Sequence, residues 1–527
     1  MSYDQSRSEN PGKDAASTVI VVIGASGDLA KKKTYPALFG LFRNGFLPDR
    51  VHIIGYARSK LDKEAFRARI TSEKLKDAPK EQLAQFLDIC DYVSGQYGSA
   101  DDFGTLNKVI EHHEARFLDQ AKQTNSGVNN DRRVRVFYMA TPPSVFVPVA
   151  KSIKAGAYSP DAHNRIVIEK PFGRDLATSR QFSEEFTQLY RENEIYRIDH
   201  YLGKEMVKNM PIIRFANLFF ESIWNREHID NVQITFKEAF GTQGRGGYFD
   251  EYGVIRDVMQ NHMVQMLCVM AMEKPRSLDA DDVRSAKADL LRSIPPIKLE
   301  DVILGQYTAS ADGKEPGYTD DKTVPEGSLC ATYASMVLFI NNERWRGVPI
   351  IMKAGKAMDE AKVEVRVQFK DVTDPLYQNI ARNELIARVG PTEAVYLKIM
   401  NKRPGLVNEP VISELDLSYR RRYSDAKIPE AYEALLLEIL AGDQSHFIRG
   451  DELDAAWEIF TPLLHQIENE KIKPRPYAYG TRGPEGADDF IQKYGYKRRS
   501  QAYHWPTDLG RPIQEVAKEY AEKNLKS

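Results

Sequence analysis

The sequence has few cysteines, no long apolar run and almost no net charge, and each shortage excludes a class of protein. Its 527 residues include three cysteines, Cys90, Cys268 and Cys330, without C-x-x-C spacing. This predicts reduced thiols in a cytoplasmic protein, with no disulfides and no metal site. A formal charge of −2 predicts no field that would attract nucleic acid or an anionic membrane. The longest apolar run, residues 263–272, is too short to span a bilayer.

The length of the chain indicates two domains, because 527 residues exceed what one core normally supports. Residues 1–17 are polar and lack an apolar segment, so we expect a disordered tail there. Strand and helix patterns predict an α/β domain over residues 18–198. An α+β domain with a mainly antiparallel sheet and helices is predicted over residues 199–506, and residues 507–527 form a C-terminal tail that could be helical.

A buried strand followed by a glycine-rich turn opens the first domain. Residues 18–23 (TVIVVI) are typical of a parallel strand covered on both faces. The turn then starts a helix expected to end near residues 44–45, and such a turn places amide N–H groups against a pyrophosphate. The G-x-x-G-x-x-A spacing also fits an ordinary tight turn. Three lysines, residues 31–33, favour the phosphate site, because the start of a helix repels cations unless an anion is bound. The turn consists of Gly24, Ala25, Ser26, Gly27, Asp28, Leu29 and Ala30, and Lys31 follows it.

Two further strand ends contribute candidate ligand-binding residues. A strand predicted over residues 51–56 is followed by Arg58, which suits the 2′-phosphate of NADP where NAD-specific sites carry an acidic residue. A surface arginine is the alternative. The short strand at residues 165–168 delivers Lys170 to the same sheet edge, where it could reach a coenzyme ribose and a substrate hydroxyl. A salt-bridged lysine at a strand end is the alternative. Together, these strands and the glycine turn predict that residues 18–198 form a Rossmann-like, dinucleotide-binding domain, with NADP as the coenzyme.

The segment at residues 197–205 (RIDHYLGKE) joins the two predicted domains and concentrates ionisable groups. On a helix, His200 and Lys204 would share a face that could bind an anion. An exposed, charged helix start is the alternative. A helix is predicted over residues 206–220, with a break or kink at Pro211.

His262 is the candidate general base, on a helix predicted over residues 254–272. In an α-helix Asp257 would lie about 140° around the axis from His262, so the carboxylate that orients the imidazole must come from elsewhere. Asp199 is the best-placed candidate. A satisfied core histidine is the alternative on so apolar a helix.

A run of strand-like segments without intervening helices predicts the antiparallel sheet of the second domain, whereas residues 284–325 look irregular. Cations recur along this sheet and indicate either a solvated face or a phosphate site. The segments are residues 332–340, 348–353, 363–369, 385–389 and 394–400, and the cations are Lys353, Lys356, Lys362, Arg366, Arg388 and Lys398.

Several strings, among them GASGDLAKKK, EKPFG, RIDHYLGKE and GRGGYFDEYGVIRDVMQNH, make residues 18–506 resemble the glucose-6-phosphate dehydrogenase family. The resemblance implies NADP-dependent oxidation of β-D-glucose 6-phosphate to 6-phospho-D-glucono-1,5-lactone, the first oxidative step of the pentose phosphate pathway, by a homodimer or homotetramer. It implies that His262 is the base and Asp199 its orienting partner. It places the coenzyme at residues 24–31, Arg58 and Lys170. Substrate contacts fall on Lys170, His200, Tyr201, Lys204, Glu238, Asp257 and Lys356.

The resemblance also implies a second, structural NADP on the sheet, while Ala361 and Gly390 depart from the family pattern. Two alternatives remain at this stage. Another NADP-dependent sugar oxidoreductase, of the glucose–fructose oxidoreductase type, would have no use for His200 beside Lys204. A catalytically silent NADP-binding scaffold would be expected to lack His262 or Asp199. The residues at the structural NADP positions are Lys353, Lys362, Arg366, Arg388, Tyr396, Lys398, Asp416, Arg482 and Trp505.

Overall fold

A computed structural model describes residues 15–497, apart from residues 72, 125–128, 374–375, 378–379, 404, 407, 409 and 424–427. The C-terminal tail, Trp505 and all but the last three residues of the predicted N-terminal tail lie outside the described residues. Within the described part of the chain no helix is both long and apolar enough to cross a membrane. The three cysteines form no disulfide; Cys90 and Cys268 are buried and Cys330 is half-buried.

The first sheet has six parallel strands in the order β3-β2-β1-β4-β5-β6. Its first strand is buried along its whole length and begins at Ala15, three residues before the predicted start. The order reverses between β1 and β4, which is where open α/β sheets bind their ligands. The strands are β1 (Ala15–Ile23), β2 (Val51–Ala57), β3 (Cys90–Ser94), β4 (Asn129–Met139), β5 (His163–Ile168) and β6 (Ile195–Arg197).

Helices connect these strands and cover the sheet. The helix after the glycine turn begins with a π-helical segment, π1, and ends at Arg43, just before Gly45 adopts a left-handed φ of 72°. The helical elements are π1 (Ala30–Thr34), α1 (Tyr35–Arg43), α2 (Lys63–Thr71), α3 (Lys80–Asp88), α4 (Ala100–Thr124), α5 (Phe146–Gly156) and α6 (Leu176–Thr187).

The second sheet has nine strands in the order β14-β13-β12-β11-β7-β10-β9-β8-β15. Only β7 with β10 and β8 with β15 pair in parallel among these described strands, so the predicted, mainly antiparallel sheet is confirmed. The strands are β7 (Ile229–Lys237), β8 (Val302–Thr308), β9 (Tyr333–Phe339), β10 (Pro349–Gly355), β11 (Lys362–Phe369), β12 (Glu384–Gly390), β13 (Ala394–Lys402), β14 (Pro410–Ser418) and β15 (Arg475–Ala478).

The helices of the second half differ from expectation in three places. The predicted helix at residues 206–220 continues through Pro211 but ends at Phe215, and α8 is separate. The helix carrying His262 begins with a π-helix, π2. Residues 284–325 are not irregular throughout, because α11 and β8 occupy much of them. The elements are α7 (Glu205–Phe215), α8 (Leu218–Ile223), α9 (Gly246–Asp250), π2 (Ile255–Met263), α10 (Val264–Ala271), α11 (Ala280–Arg292), α12 (Tyr419–Arg422), α13 (Ala431–Ala441), α14 (Gly450–Asn469) and α15 (Ala487–Lys493).

Two buried tryptophans hold the C-terminal end of α10. The indole of Trp224 donates to the carbonyl of Met270 at 2.9 Å, and that of Trp345 donates to the carbonyl of Ala271 at 2.8 Å. The last carbonyls of a helix have no partner within the helix, so these bonds satisfy groups that would otherwise be unpaired in the core. They thereby fix the position of the π2–α10 element that carries His262.

Helix α13 comes late in the sequence but packs into the core of the first domain. Leu435, Leu436 and Ile439 lie in the same buried cluster as the side chains of β1, β2 and α1. A Cβ at Gly40 in α1 would overlap the carboxylate of Glu433, so the two helices approach closely. A division of the chain near residue 198 therefore does not separate the two folded units cleanly.

Candidate active site

The glycine turn lies tightly between the carboxyl ends of β2 and β4. Gly24 has a φ of 87°, and a Cβ there would come within 2.6 Å of the carbonyl oxygen of Ala140. Its N–H donates to the carbonyl of Tyr56 at 2.8 Å. Only glycine fits this position without strain. The first helical turn then presents its amides at the switch point of the sheet, which suits the pyrophosphate of a dinucleotide.

The strand end that follows β2 lies next to this turn. The hydroxyls of Ser26 and Ser59 are 3.4 Å apart, and the exposed guanidinium of Arg58 lies 5.2 Å from the centre of the Tyr97 ring. Arg69 of α2 also reaches the turn, because its Nε donates to the carbonyl of Ser26 at 2.7 Å. Arg69 is not among the residues predicted from the sequence, because only the packing of α2 brings it to the turn.

Residues 199–204 are not helical, so the predicted shared helix face of His200 and Lys204 is wrong. The N–H groups of Leu202, Gly203 and Lys204 donate to carbonyls three residues back in consecutive turns, and α7 begins only at Glu205. A Cβ at Gly203 would come within 2.5 Å of the carbonyl oxygen of Ala431 in α13. The close approach of that helix shapes the segment.

His262 faces Asp199 across the joint between the domains. Its Nδ1 lies 2.6 Å from Oδ1 of Asp199, and the same oxygen accepts the N–H of Tyr201 at 2.9 Å. Both side chains are only 2% exposed. The predicted angle between Asp257 and His262 assumed an α-helix, which is wrong for π2, where hydrogen bonds span five residues. The contact with Asp199, rather than with Asp257, nevertheless agrees with the prediction.

The electrostatics of this pair leave the imidazole ready to accept a proton. Burial alone would raise the pKa of Asp199, but the adjacent His262 outweighs it and holds that pKa at about 2. Burial lowers the pKa of His262 below its usual value, and Asp199 offsets this only in part. At neutral pH, Asp199 is therefore ionised and His262 neutral. Because Nδ1 donates to the carboxylate, Nε2 is the nitrogen available as an acceptor.

Aromatic rings surround the imidazole of His262. The His200 ring meets it edge-on at a centroid distance of 4.6 Å, and the Tyr201 ring lies at 4.5 Å. Tyr432 of α13 stacks on His200 at 5.8 Å, and Lys33 lies 5.9 Å from the Tyr432 ring. These contacts bring the helix that follows the glycine turn to the segment at residues 199–204.

A cavity of about 320 Å³ is lined by Asn261, the residue before His262, and by four of the predicted substrate residues. Lys170 donates to the carbonyl of Asp257 at 2.7 Å and lies 3.6 Å from its carboxylate. Lys356 lies 2.5 Å from Glu238 and 3.5 Å from Asp257. Two lysines thus alternate with two carboxylates, an arrangement that offers both donors and acceptors to sugar hydroxyls.

Glu169 and two neighbouring tyrosines also lie beside this site, and no role is predicted for them from the sequence. Tyr138 donates to Glu169 at 2.5 Å, and burial raises the pKa of Glu169 to about 7. Tyr432 also lies beside Glu169 and lowers the pKa of that carboxyl. A polar residue between a strand of apolar residues and Lys170 was the available signal, but its partners are far away in sequence.

The cations of the second sheet gather on one face, where carboxylates partly neutralise them. Lys353, Lys362, Arg366 and Arg482 line a cavity of about 110 Å³. Arg366 pairs with Glu384 at 2.5 Å and with Glu364 at 3.0 Å, which the sequence analysis did not anticipate. The other predicted positions continue along β12 to β14. Arg388 lies 5.9 Å from the centre of the Tyr396 ring, and Lys398 lies 3.7 Å from Glu384. Tyr396 on β13 is opposite Asp416 on β14 in the strand register.

A doubly wound sheet with a glycine turn, a buried histidine–aspartate pair and a polar cavity at its carboxyl edge defines a dinucleotide-dependent oxidoreductase. Two family descriptions match the chain. "Glucose-6-phosphate dehydrogenase, NAD binding domain" matches residues 21–209, and "Glucose-6-phosphate dehydrogenase, C-terminal domain" matches residues 211–505. The chain belongs to the glucose-6-phosphate dehydrogenase family.

Relatives and solved structures agree with this assignment. The chain is 54% identical to glucose-6-phosphate 1-dehydrogenase of Emericella nidulans over 93% of this chain and 94% of that protein. It is 48% identical to the Saccharomyces cerevisiae enzyme over 95% and 98%. A structure described as glucose-6-phosphate dehydrogenase in complex with its substrate glucose-6-phosphate has a TM-score of 0.87 and 46% identity, covering 92% of this chain and 99% of that one. The Mycobacterium avium enzyme has a TM-score of 0.77 and 28% identity, covering 93% and 99%.

The family assignment makes the protein an oxidoreductase that uses a nicotinamide dinucleotide. The assignment favours neither of the two alternatives considered from the sequence, a sugar oxidoreductase of another type and a catalytically silent NADP-binding scaffold. It does not assign roles to individual residues, which remain predictions.

Proposed function

We propose that the protein oxidises glucose 6-phosphate at C1 with NADP as the hydride acceptor and releases the 6-phosphogluconolactone. The names of its relatives support this reaction, as does the substrate named for the similar solved structure. The observation that carries the proposal is the 2.6 Å contact between His262 and Asp199 beside the lysine-containing cavity. This contact provides a base where the carboxyl edge of a dinucleotide-binding sheet would place the coenzyme.

In this proposal Nε2 of His262 accepts the proton of the C1 hydroxyl. Asp199 keeps Nδ1 protonated, orients the ring and stabilises the imidazolium once it forms. Bound NADP supplies the nicotinamide ring that takes up the hydride. A positioned base of this kind typically contributes about 10²- to 10⁴-fold to the rate. The burial of the pair favours the reaction, because the attraction between Asp199 and the imidazolium is stronger in a site that excludes water than in bulk water.

The substrate would be held at both ends. The position proposed for the phosphate lies among His200, Tyr201 and Lys204. Burial keeps the pKa of His200 well below its usual value, so His200 is neutral. The positive charge that binds the phosphate would therefore come from Lys204. Lys170, Glu238, Asp257 and Lys356 would contact the sugar hydroxyls. The direct test is to compare glucose with glucose 6-phosphate. A kcat/KM for glucose 6-phosphate at least 10²-fold higher is expected from charge-assisted bonds to the phosphate, and similar values for both sugars would contradict the phosphate site.

Arg58 is proposed to bind the 2′-phosphate of NADP, with Arg69 beside it. The exposed guanidinium of Arg58 next to the Ser26–Ser59 contact supports this role. Arg58→Ala should raise the KM for NADP about tenfold or more and leave the KM for NAD nearly unchanged. Arg67→Ala is the matched control, because Arg67 lies on α2 and pairs with Asp88 at 3.0 Å. Equal losses with both coenzymes would refute the assignment.

A second, structural NADP is proposed on the sheet face around Lys353. Burial, with the nearby charge of Lys237, lowers the pKa of Lys353 to about 8, and a bound phosphate would stabilise its charged form. We expect two NADP molecules per chain in gently purified protein, and one in a Lys353→Met variant that keeps its activity in excess NADP. One NADP per chain in the wild type would rule out the second site.

The assembly and location complete the proposal. We propose a cytoplasmic homodimer or homotetramer, as the family resemblance implies. Light scattering coupled to size-exclusion chromatography distinguishes the two states, and a mass equal to the 60.0 kDa chain would contradict both.

A further inference from the structure

A cavity of about 420 Å³ lies at the end of the first sheet that is remote from the glycine turn. Its walls come from the start of β5, the segment before β6 and the residues that follow α13. Because β5 runs from His163 towards Lys170, this cavity opens at the amino ends of the strands, whereas the active site is at their carboxyl ends. The described active-site residues take no part in it.

The lining of this cavity carries an excess of positive charge. Arg132, Arg165 and Arg191 line it together with a single carboxylate, that of Glu194. Burial lowers the pKa of His163, which also lines the cavity, so its imidazole adds no charge at neutral pH. Both oxygens of Glu194 are already used, one by the hydroxyl of Tyr158 at 2.9 Å and the other by the N–H of Arg191 at 2.8 Å. Within the described part of the chain, none of the three guanidinium groups forms an ion pair with a carboxylate.

Arg165 is the most informative of these cations, because it is only 5% exposed. Its Nη1 donates to the carbonyl of Ile439 in the last turn of α13, and a Cβ at Gly442 would come within 2.9 Å of its Nη2. The negative end of the helix dipole offsets part of the cost of burying a guanidinium. Burial still lowers the pKa of Arg165. Burying a cation without a counter-ion costs free energy. A negative group bound in the cavity would therefore stabilise Arg165.

We infer that this cavity binds a pyrophosphate group, either free or carried by a nucleoside diphosphate. Guanidinium groups present planar pairs of N–H donors that match phosphate oxygens, and three of them line one cavity. A pyrophosphate supplies the charge needed to balance them. Arg165 would contact it from the floor of the cavity, and Arg132 and Arg191 would contact it from the less buried rim.

The test titrates pyrophosphate calorimetrically into the full-length protein with NADPH and glucose 6-phosphate at saturation. These ligands fill the other phosphate sites, and no turnover occurs because no oxidised coenzyme is present. We expect one site per chain, with affinity that falls as salt is added. A parallel titration with ADP separates the sources: tighter binding of ADP indicates a nucleotide, and equal or weaker binding indicates free pyrophosphate.

Charge-neutral variants decide whether the cavity is the site. The double variant Arg132→Gln/Arg191→Gln should weaken pyrophosphate binding at least tenfold and abolish the rise in Tm that pyrophosphate causes in the wild type. Arg133→Gln is the control, because Arg133 is on the same strand but faces Asp161 at 3.8 Å, and its binding should match the wild type. The absence of binding at millimolar pyrophosphate in the wild type, or unchanged binding in the folded and active double variant, would overturn the inference.

Discussion

Two contacts between a buried histidine and an aspartate invite comparison. His262 meets Asp199 at 2.6 Å, and His52 on β2 meets Asp91 on β3 at 2.9 Å. Both histidines are 2% exposed. The distances and burial are alike, yet the two pairs lie at opposite ends of the parallel strands, and only the first adjoins the candidate active site.

The ring nitrogen that faces the carboxylate differs between the two pairs. In His262 it is Nδ1, which leaves Nε2 for a substrate. In His52 it is Nε2, and Nδ1 is buried without a hydrogen-bond partner in the described residues. The carboxylate of Asp91 is also shared, because His113 lies 3.4 Å and Lys63 3.4 Å from it. A histidine–aspartate contact is therefore a candidate for catalysis only when its second nitrogen faces a ligand site.

The largest expected difference comes from removing each imidazole. His262→Asn should lower kcat by about 10²- to 10⁴-fold, because the C1 hydroxyl loses its base. His52→Asn should keep kcat within a few-fold of the wild type. Steady-state kinetics, with circular dichroism to confirm folding, measures both. Comparable losses of kcat in the two variants would mean that the position of a pair in the sheet does not determine whether its histidine acts in catalysis.

Removing the carboxylates should change the pH profile of one pair only. Asp199→Asn should lower kcat by about 10- to 150-fold, the value of a hydrogen bond to a charged group of ~1.5–3 kcal/mol. Asp199 raises the pKa of His262, so its loss lowers that pKa further and shifts the acid limb of kcat/KM to lower pH. Asp91→Asn should leave the acid limb in place. An unshifted limb in Asp199→Asn would show that His262 does not control it.

The lysines next to the two pairs should differ in their effect on substrate affinity. Lys204→Gln should raise the KM for glucose 6-phosphate about tenfold or more with a smaller change in kcat, because it removes a charge proposed to bind the phosphate. Lys63→Gln, which removes the ammonium near Asp91, should not change KM. If Lys204→Gln lowered kcat alone, the phosphate assignment would be wrong.

The smallest expected effect concerns stability and involves His113, which lies beside the pair of His52 and Asp91. Burial, with the adjacent charge of His52, lowers the pKa of His113 to about 4, against 6.5 for an ordinary histidine. The unfolded chain therefore binds more protons between these values, so the free energy of unfolding should decrease as the pH falls from about 6.5 to 4. His113→Asn should flatten this decrease in urea denaturation series. An identical pH dependence in the variant would show that His113 is not its source.

Prediction from sequence succeeded where the signal was local. The buried run before Gly24 and the alternating strands of the second half indicated both sheets, and Arg58 and Lys170 follow strands as expected, although their roles stay predictions. It failed where a neighbour distant in sequence decided the conformation. The segment at residues 199–204 forms turns against α13 instead of a helix.

The partners of site residues were also largely out of reach. Arg69 and Tyr432 came to the site through packing alone, the partner Tyr138 of Glu169 is 31 residues away in sequence, and Glu384 pairs with Arg366. Each of these contacts joins residues that are far apart in the chain or on different elements, so no spacing rule could have indicated them.

By itself, the sequence determined the two sheets, the glycine turn and the residue types available for proton transfer, because side-chain periodicity and glycine positions act over a few residues. The tertiary structure decided the surroundings of His262, the candidate base already indicated by the sequence, and left its Nε2 as the nitrogen able to accept a proton. Ring orientation, burial and the distance to a carboxylate depend on elements packed from distant parts of the chain, and these set the pKa of an imidazole and the nitrogen that it offers.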